Sequence, residues 1–127
     1  PVIDHSERDI WEIIKRHHVA PHPCYCAGWN RCSCMMCIFS LPKHWAGIRD
    51  LFPEEVEAVK RDEQILGFTL DNKKDLETYI GDAESCLYPD KKAIQQILTG
   101  TFTEEDIYTN SWKFPAGAFK GSEGGPC

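Results

Sequence analysis

A dense run of cysteines near the N-terminal end constrains this chain more than any other feature. Five of the seven cysteines fall within fourteen consecutive positions, spaced as Cys24-x-Cys26, Cys32-x-Cys34 and Cys34-x-x-Cys37. Thiolates converging from so short a segment are typical of a zinc or iron-sulfur centre. The odd number of cysteines and their clustering favour reduced, metal-binding thiols over a secreted disulfide framework. The run therefore predicts a metal-binding loop.

The spacing leaves the metal and the full ligand set open. Cys34 and Cys37 rank first, because a two-residue gap lets both sulfurs reach one centre, and Cys26 and Cys32 come next. The further candidates are Cys24, Cys86 and His22. Tetrahedral zinc takes four ligands, so the five clustered cysteines are not all required. Two alternatives remain, a purely structural zinc and a thioredoxin-like Cys34–Cys37 pair, although the latter needs a βαβ context.

The rest of the chain has the periodicity of short helices. Ser6 and Asp9 resemble a capping box, and the apolar residues that follow predict a first helix to about His18, which Pro21 and Pro23 then end. Proline and aspartate at helix starts and glycine at helix ends predict the later helices. These are a helix from Pro53 to Gly67, one from Asn72 or Lys73 to Ile80, one from Asp90 to Gly100, and a short one from Thr103 to Tyr108, with Pro42 marking a turn or a further helix start.

This pattern predicts a mainly α fold, a small helical domain with an irregular cysteine-rich metal-binding loop. The domain is expected to span residues 1–120, and the glycine-rich residues 121–127 are expected to form a flexible tail. The segment Gly67-Phe68-Thr69-Leu70 alone looks mildly strand-like.

Charge and hydropathy exclude several classes of protein. The net charge of −6 argues against direct nucleic-acid binding, which usually rests on a basic face. No apolar run is long enough to predict a membrane span, and charged residues such as Asp4, Glu7 and Arg8 occupy the place of a signal peptide. A cytoplasmic location is the default expectation.

Arg31 and His22 are candidate substrate-binding residues, because both lie within or beside the cysteine run. A guanidinium can hold phosphate or sulfate oxygens in a two-pronged geometry, and an imidazole can add a donor. A surface ion pair is the alternative role for Arg31.

The first third of the chain resembles a known family. The segments Pro1–Trp11, His22-Pro23-Cys24-Tyr25 and Gly28–Phe39 are similar to the C-terminal part of phosphoadenosine phosphosulfate (PAPS) reductase-like proteins of the bacterial and phage type. In those proteins a helix, a His-Pro-x-Tyr step and a Gly-Trp-x-Arg segment lead into a Cys-x-x-Cys pair. The remainder of the chain matches only loosely.

The resemblance implies a domain that does not catalyse alone. In the family an N-terminal α/β domain of the adenine nucleotide alpha-hydrolase type carries a Ser-Gly-Gly-x-Asp-Ser phosphate loop, and this chain has no such loop. The chain is thus expected to be the C-terminal part of a PAPS reductase-like or sulfurtransferase-like enzyme. It would help to complete a sulfonucleotide site through Arg31 and His22, with an N-terminal nucleotide-binding domain as partner. An iron-sulfur cluster is as compatible with the superfamily as zinc, and the alternative function is a structural zinc module for protein interaction.

The resemblance assigns no catalytic residue to this chain. The reductases of the family use a cysteine near a C-terminal Glu-Cys-Gly motif as nucleophile, whereas this chain has Gly-Gly-Pro-Cys ending at Cys127. Reductive chemistry of that kind is therefore not implied by the motif.

Overall fold

The structure, a computed structural model, describes residues 2–120 and confirms a mainly helical fold. Within those residues it contains six α-helices, a short 3-10 helix and no strand, the closest approach to a sheet being an isolated bridge between Val19 and Tyr108. The helices are α1 (Glu7–Arg16), α2 (Pro23–Cys26), α3 (Pro42–Leu51), α4 (Pro53–Leu66), α5 (Leu76–Ile80) and α6 (Lys91–Thr99), and the 3-10 helix is Glu104–Asp106. The predicted tail, 121–127, lies outside the described residues.

Local signals account for most helix ends. Ser6 and Asp9 form the predicted capping box, in which the Ser6 hydroxyl oxygen accepts from the Asp9 amide at 3.2 Å. The helix α1 ends at Arg16, slightly before the predicted limit, because His18 adopts a positive φ of 55°. The helices α4 and α6 begin and end at the predicted proline, aspartate and glycine signals.

The helix predicted from Thr103 to Tyr108 is only the 3-10 helix Glu104–Asp106, and α5 and α2 also differ from the prediction. The helix α5 starts at Leu76 rather than at residue 72 or 73, because the Asp71 carboxylate accepts the amides of Lys73 and Lys74 in a turn. The Asp75 side chain then caps the helix. The helix α2 lies inside the segment predicted to be a loop, because Pro23 occupies its first turn, where a missing N–H costs nothing. Segment 67–70, which looked strand-like, forms no strand.

The described residues divide into two compact units. The first unit comprises residues 2–32 and 88–120, and the second comprises residues 33–87. In the first unit α2 packs against α6, and in the second α3, α4 and α5 pack against one another. No helix within residues 2–120 has the length and apolar character needed to cross a membrane.

The second unit holds the largest fully buried side chains, which are Trp45, Leu76, His44 and Val56. Glu63 on α4 is also buried, at 8% exposure, and its two carboxylate oxygens accept the amides of Leu70 and Leu76, each at 2.8 Å. This carboxylate therefore fixes the irregular connection between α4 and α5. Among the apolar residues that follow the cysteine run, Trp45 and Ile48 are buried, whereas Ile38 and Phe39 are exposed.

The first unit is joined by contacts between residues far apart in sequence. The Tyr88 amide donates to the Ala27 carbonyl at 2.8 Å, and the Gly117 amide donates to the Tyr25 carbonyl at 2.8 Å. A Cβ atom at Gly117 would lie 1.8 Å from the Trp29 carbonyl oxygen, so only glycine allows this approach. These contacts tie residues 25–29, which directly follow Cys24, to Tyr88 and Gly117.

Candidate metal centre

Three residues of the first unit bring metal-ligand atoms together. His22, Cys24 and Cys32 each offer one ligand atom, and these atoms all lie within 4.8 Å of one another. We call these three residues the His22 cluster. An imidazole nitrogen and two sulfurs are ligand types suited to a metal ion. The cysteine-rich segment thus contains a group with the composition and closeness of a metal site.

His22 is positioned by the two prolines that flank it. The residue before a proline is driven to extended backbone, and His22 has φ −57° and ψ 139°. Pro23 then begins α2, and the His22 Nδ1 atom accepts the Cys24 amide at 3.2 Å, so that the imidazole caps the helix. The same nitrogen lies 3.5 Å from the Cys32 sulfur. Ligation of a metal through Nδ1 would require the imidazole to give up the capping bond.

Cys32 reaches the cluster through a turn anchored on Tyr25. The chain reverses after α2 at Gly28, whose φ of 106° is readily adopted only by glycine. The Cys32 amide then donates to the Tyr25 hydroxyl oxygen at 3.3 Å. The Tyr25 ring packs edge-to-face on buried Trp11, with ring centroids 5.2 Å apart. The aromatic packing of α1 therefore places a sulfur ten residues beyond His22 in sequence beside the imidazole.

In the metal-free protein, burial and neighbouring groups shift the pKa values of the His22 cluster. Burial, and then the neighbouring Cys32, raise the pKa of the Cys24 thiol to about 12. Burial lowers the pKa of His22, which favours the neutral imidazole with a free lone pair. A bound cation would reverse the effect on the thiols, because it stabilises adjacent thiolates.

Cys26 lies on the same short helix but outside the cluster. Its thiol contacts the Pro21 carbonyl oxygen at 3.8 Å and lines a cavity of about 360 Å³, whose other walls include Phe102, Trp112 and Lys92. Burial, and then Asp90, raise the pKa of Cys26. Its position differs from that of Cys24 although the two residues are separated only by Tyr25.

The other predicted ligands, Cys34, Cys37 and Cys86, lie in the second unit. Cys34 is exposed, and Cys37 and Cys86 are half-buried. Within the part of the second unit that the structure describes, they form no three-ligand group. The spacing ranked Cys34 and Cys37 first, whereas the group that the structure brings together contains Cys24, Cys32 and His22.

Arg31 is half-buried and directly precedes Cys32 in the first unit. Among the described residues no carboxylate or carbonyl pairs with its guanidinium, so the ion pair considered from the sequence does not form there. Tyr25 is the positioning residue that sequence reasoning missed. In the sequence Tyr25 is a tyrosine between two cysteines. Its positioning role can be recognised only when the turn at Gly28 brings Cys32 to its hydroxyl.

Comparison with known proteins identifies a relative that aligns with about half of this chain. No family model matches the chain, and no solved structure matches it. The chain is similar to a protein of Escherichia phage 186 described as an uncharacterized 37.8 kDa protein in the gpA 5′ region, with 32% identity over 66 residues. The aligned residues are 52% of this chain and 20% of that protein, so the match spans about a fifth of the relative's length.

Proposed function

We propose that this chain is a zinc-binding module whose metal is held by His22, Cys24 and Cys32. The observation that carries the proposal is the approach of three ligand atoms to within 4.8 Å in one unit. A mixed nitrogen and sulfur set is typical of zinc, whereas iron-sulfur clusters are usually held by four cysteines. Zinc is therefore the metal that this set favours.

Zinc usually takes four ligands, so the His22 cluster leaves one position for a further ligand. A fourth protein ligand would make the site structural, and a water molecule or substrate atom would leave it open for chemistry. Alkylation of the zinc-loaded chain, followed by mass spectrometry, distinguishes a structural site from an open one. Protection of one cysteine besides Cys24 and Cys32 identifies a protein ligand, and protection of these two alone indicates an open position.

The metal is tested by native mass spectrometry and a visible spectrum of chain purified without air. We expect a colourless protein with stoichiometric zinc. Cys24→Ser should weaken zinc binding by about 100-fold or more, because loss of a direct ligand exceeds the effect of an outer-shell change. Cys26→Ser is the matched control from the same helix and should retain zinc. A brown, iron-containing protein, or equal effects of the two substitutions, would contradict the proposal.

His22→Asn tests the imidazole separately from its capping role. Asparagine is a good N-cap residue and keeps an acceptor for the Cys24 amide, but it removes the imidazole ligand. Zinc affinity should fall while helical content stays unchanged. Unchanged affinity would remove His22 from the ligand set.

We further propose that the module belongs to a larger PAPS reductase-like or sulfurtransferase-like enzyme and helps to complete a sulfonucleotide site. The resemblance of residues 1–11, 22–25 and 28–39 supports the enzyme family, and the greater length of the phage relative supports a larger protein. Arg31 also supports it, since its guanidinium has no partner among the described residues and lies next to the cluster in sequence. An N-terminal domain would supply the phosphate loop, so the module would not be catalytic alone.

The sulfonucleotide proposal is tested by binding of adenosine 3′,5′-bisphosphate to the full-length gene product. Arg31→Ala should weaken binding by about 10- to 100-fold, the range expected for loss of a charged hydrogen bond. Arg16→Ala, an exposed arginine of the first unit, is the control and should have no effect. Equal affinities of the Arg31→Ala variant and the unmodified protein would contradict the role of Arg31.

A structural zinc module for protein interaction is the second candidate. Two apolar side chains just after the cysteine run favour it, because Ile38 is 58% exposed and Phe39 is 46% exposed. Stoichiometric zinc, together with no binding of adenosine 3′,5′-bisphosphate to the full-length gene product, would favour this function over the sulfonucleotide site.

A further inference from the structure

The two thiols of the His22 cluster are close enough to react with each other. The Cys24 and Cys32 sulfurs lie within 4.8 Å, and a disulfide requires about 2 Å. Cys32 is exposed and thus accessible to a small oxidant, whereas Cys24 is half-buried. The residues between them include the glycine turn at Gly28 and the irregular segment that follows it, which lie outside regular helix.

We propose that Cys24 and Cys32 form a reversible disulfide that displaces the metal, so that the site is a redox-controlled metal switch. The displacement rests on the proposed zinc function, whereas formation of the disulfide rests only on the geometry of the two thiols. A sulfur in a disulfide has lost the thiolate charge that binds zinc. Oxidation would thus remove two of the three ligands in one event.

The geometry selects this pair over others in the first unit. Cys26 is the remaining cysteine of that unit among the described residues, and its thiol contacts the Pro21 carbonyl oxygen instead of the cluster. The reaction closes a short loop from Cys24 to Cys32, and the Cys32 amide that bonds to the Tyr25 hydroxyl takes no part in it.

A low-molecular-weight disulfide such as glutathione disulfide is a sufficient oxidant. The Cys32 sulfur attacks one of its sulfurs and forms a mixed disulfide, and one glutathione leaves. The Cys24 sulfur then attacks the Cys32 sulfur, the Cys24–Cys32 bond forms, and the second glutathione leaves. The two cysteines lose two electrons in total, and the oxidant gains them. The two glutathiones leave as thiols, taking their protons from the cysteines or, when zinc was bound, from water.

The experiment titrates the zinc-loaded chain with glutathione disulfide and records zinc release with a colorimetric chelator. Trypsin cleaves after Arg31 and places the two cysteines on separate peptides, and chymotrypsin cleaves after Tyr25 and separates Cys24 from Cys26. Fragmentation of the linked peptide distinguishes Cys32 from Cys34. We expect a Cys24–Cys32 link that grows in step with released zinc and is reversed by dithiothreitol.

Two variants test which cysteines take part in the disulfide. Cys26→Ser should form the link and release zinc as the unmodified chain does. Cys24→Ser, treated in the same way without zinc, should stop at a glutathione adduct on Cys32, because the second thiol is missing.

The two proposals fail in different ways. Zinc bound at the start, with no Cys24–Cys32 link or with no release when the link forms, would overturn the switch and leave the metal function standing. A link formed in a chain that never held zinc would contradict the metal function and support the disulfide. A link through another cysteine of the run would overturn the proposed pairing.

Discussion

The two units of this chain are stabilised by different means. The four largest fully buried side chains, Trp45, Leu76, His44 and Val56, all belong to the second unit, where three helices pack together. Among the described residues of the first unit the buried apolar side chains are smaller apart from Trp11, namely Ala27, Ala93, Pro23 and Pro115. The short helix α2 packs against α6 and, through Tyr25, on Trp11 of α1. The His22 cluster lies in this first unit. We propose that there a bound metal supplies part of the stabilisation that the second unit gains from its larger core.

Metal removal should show the largest difference between the units. A structural zinc can contribute on the order of 10 kcal/mol to folding, because its ligands are not assembled in the unfolded chain. Chelation under reducing conditions should therefore remove hydrogen-exchange protection from α2 and from residues 27–32, while α3 and α4 stay protected. Cys24→Ser should reproduce the effect without a chelator. Equal loss of protection in both units would show that the metal does not stabilise the first unit selectively.

Trp45→Ala should destabilise the second unit and leave zinc binding by the first unit unchanged. Trp45 is 1% exposed, and removing a buried tryptophan costs about 3–5 kcal/mol. Chemical denaturation of the zinc-loaded chain should show this loss, and zinc stoichiometry measured in the folded protein should not change. Phe68→Ala is the control, since Phe68 is 79% exposed and its loss should cost less than about 0.5 kcal/mol. Loss of zinc from the folded Trp45→Ala variant would show that zinc binding depends on the core of the second unit.

Glu63→Ala should destabilise the second unit by a smaller amount. The substitution leaves the buried Leu76 amide without its acceptor, at a cost of about 1–3 kcal/mol, and the part-buried Leu70 amide adds less because water can replace its acceptor. Glu63→Gln keeps one oxygen acceptor and should cost less than Glu63→Ala. Urea denaturation of both variants gives the order, and a reversed order would show that the carboxylate does not hold this connection.

Asp75 gives the smallest expected effect, a pH dependence of the second unit. Hydrogen bonds from Thr78 hold the pKa of Asp75 below its usual value. A lowered pKa in the folded state means that the stabilisation is complete above the unfolded value of about 3.9 and is lost as the pH falls below it. Asp75→Asn keeps an N-cap acceptor but does not titrate, so its acid unfolding should depend less on pH. Parallel acid-unfolding curves of the two proteins, followed by far-UV circular dichroism, would exclude this contribution.

Much of the fold could be predicted because its signals are local. The Ser6–Asp9 capping box, Pro53 at the start of α4 and Asp90 before α6 each act within one helical turn. The helix α5 was predicted too early because Asp71 makes a turn with the two amides that follow it, which competes with helix formation. The helix α2 was missed because its four residues are too short to show a period.

The region of the candidate site and its three residues, as candidates, could be predicted from the sequence, but which of the candidates lie together could not. The density of cysteines indicated a metal-binding segment, and this depends on composition alone. That Cys32 approaches His22 depends on the Tyr25 hydroxyl and on the contact of Tyr25 with Trp11, which joins α1 to the turn. Residue spacing carries no information on a contact of this kind, which is why Cys34 and Cys37 ranked above Cys24 and Cys32.

X-ray absorption spectroscopy of the zinc-loaded chain reports the atoms bound to the metal and so tests the proposed ligands His22, Cys24 and Cys32. We expect a mixed shell with Zn–S distances of about 2.3 Å and a Zn–N distance of about 2.0–2.1 Å that shows imidazole scattering. In His22→Asn the imidazole signal should disappear while the sulfur signal remains. A shell made only of sulfur, or one without sulfur, would contradict the assignment of the metal to His22, Cys24 and Cys32.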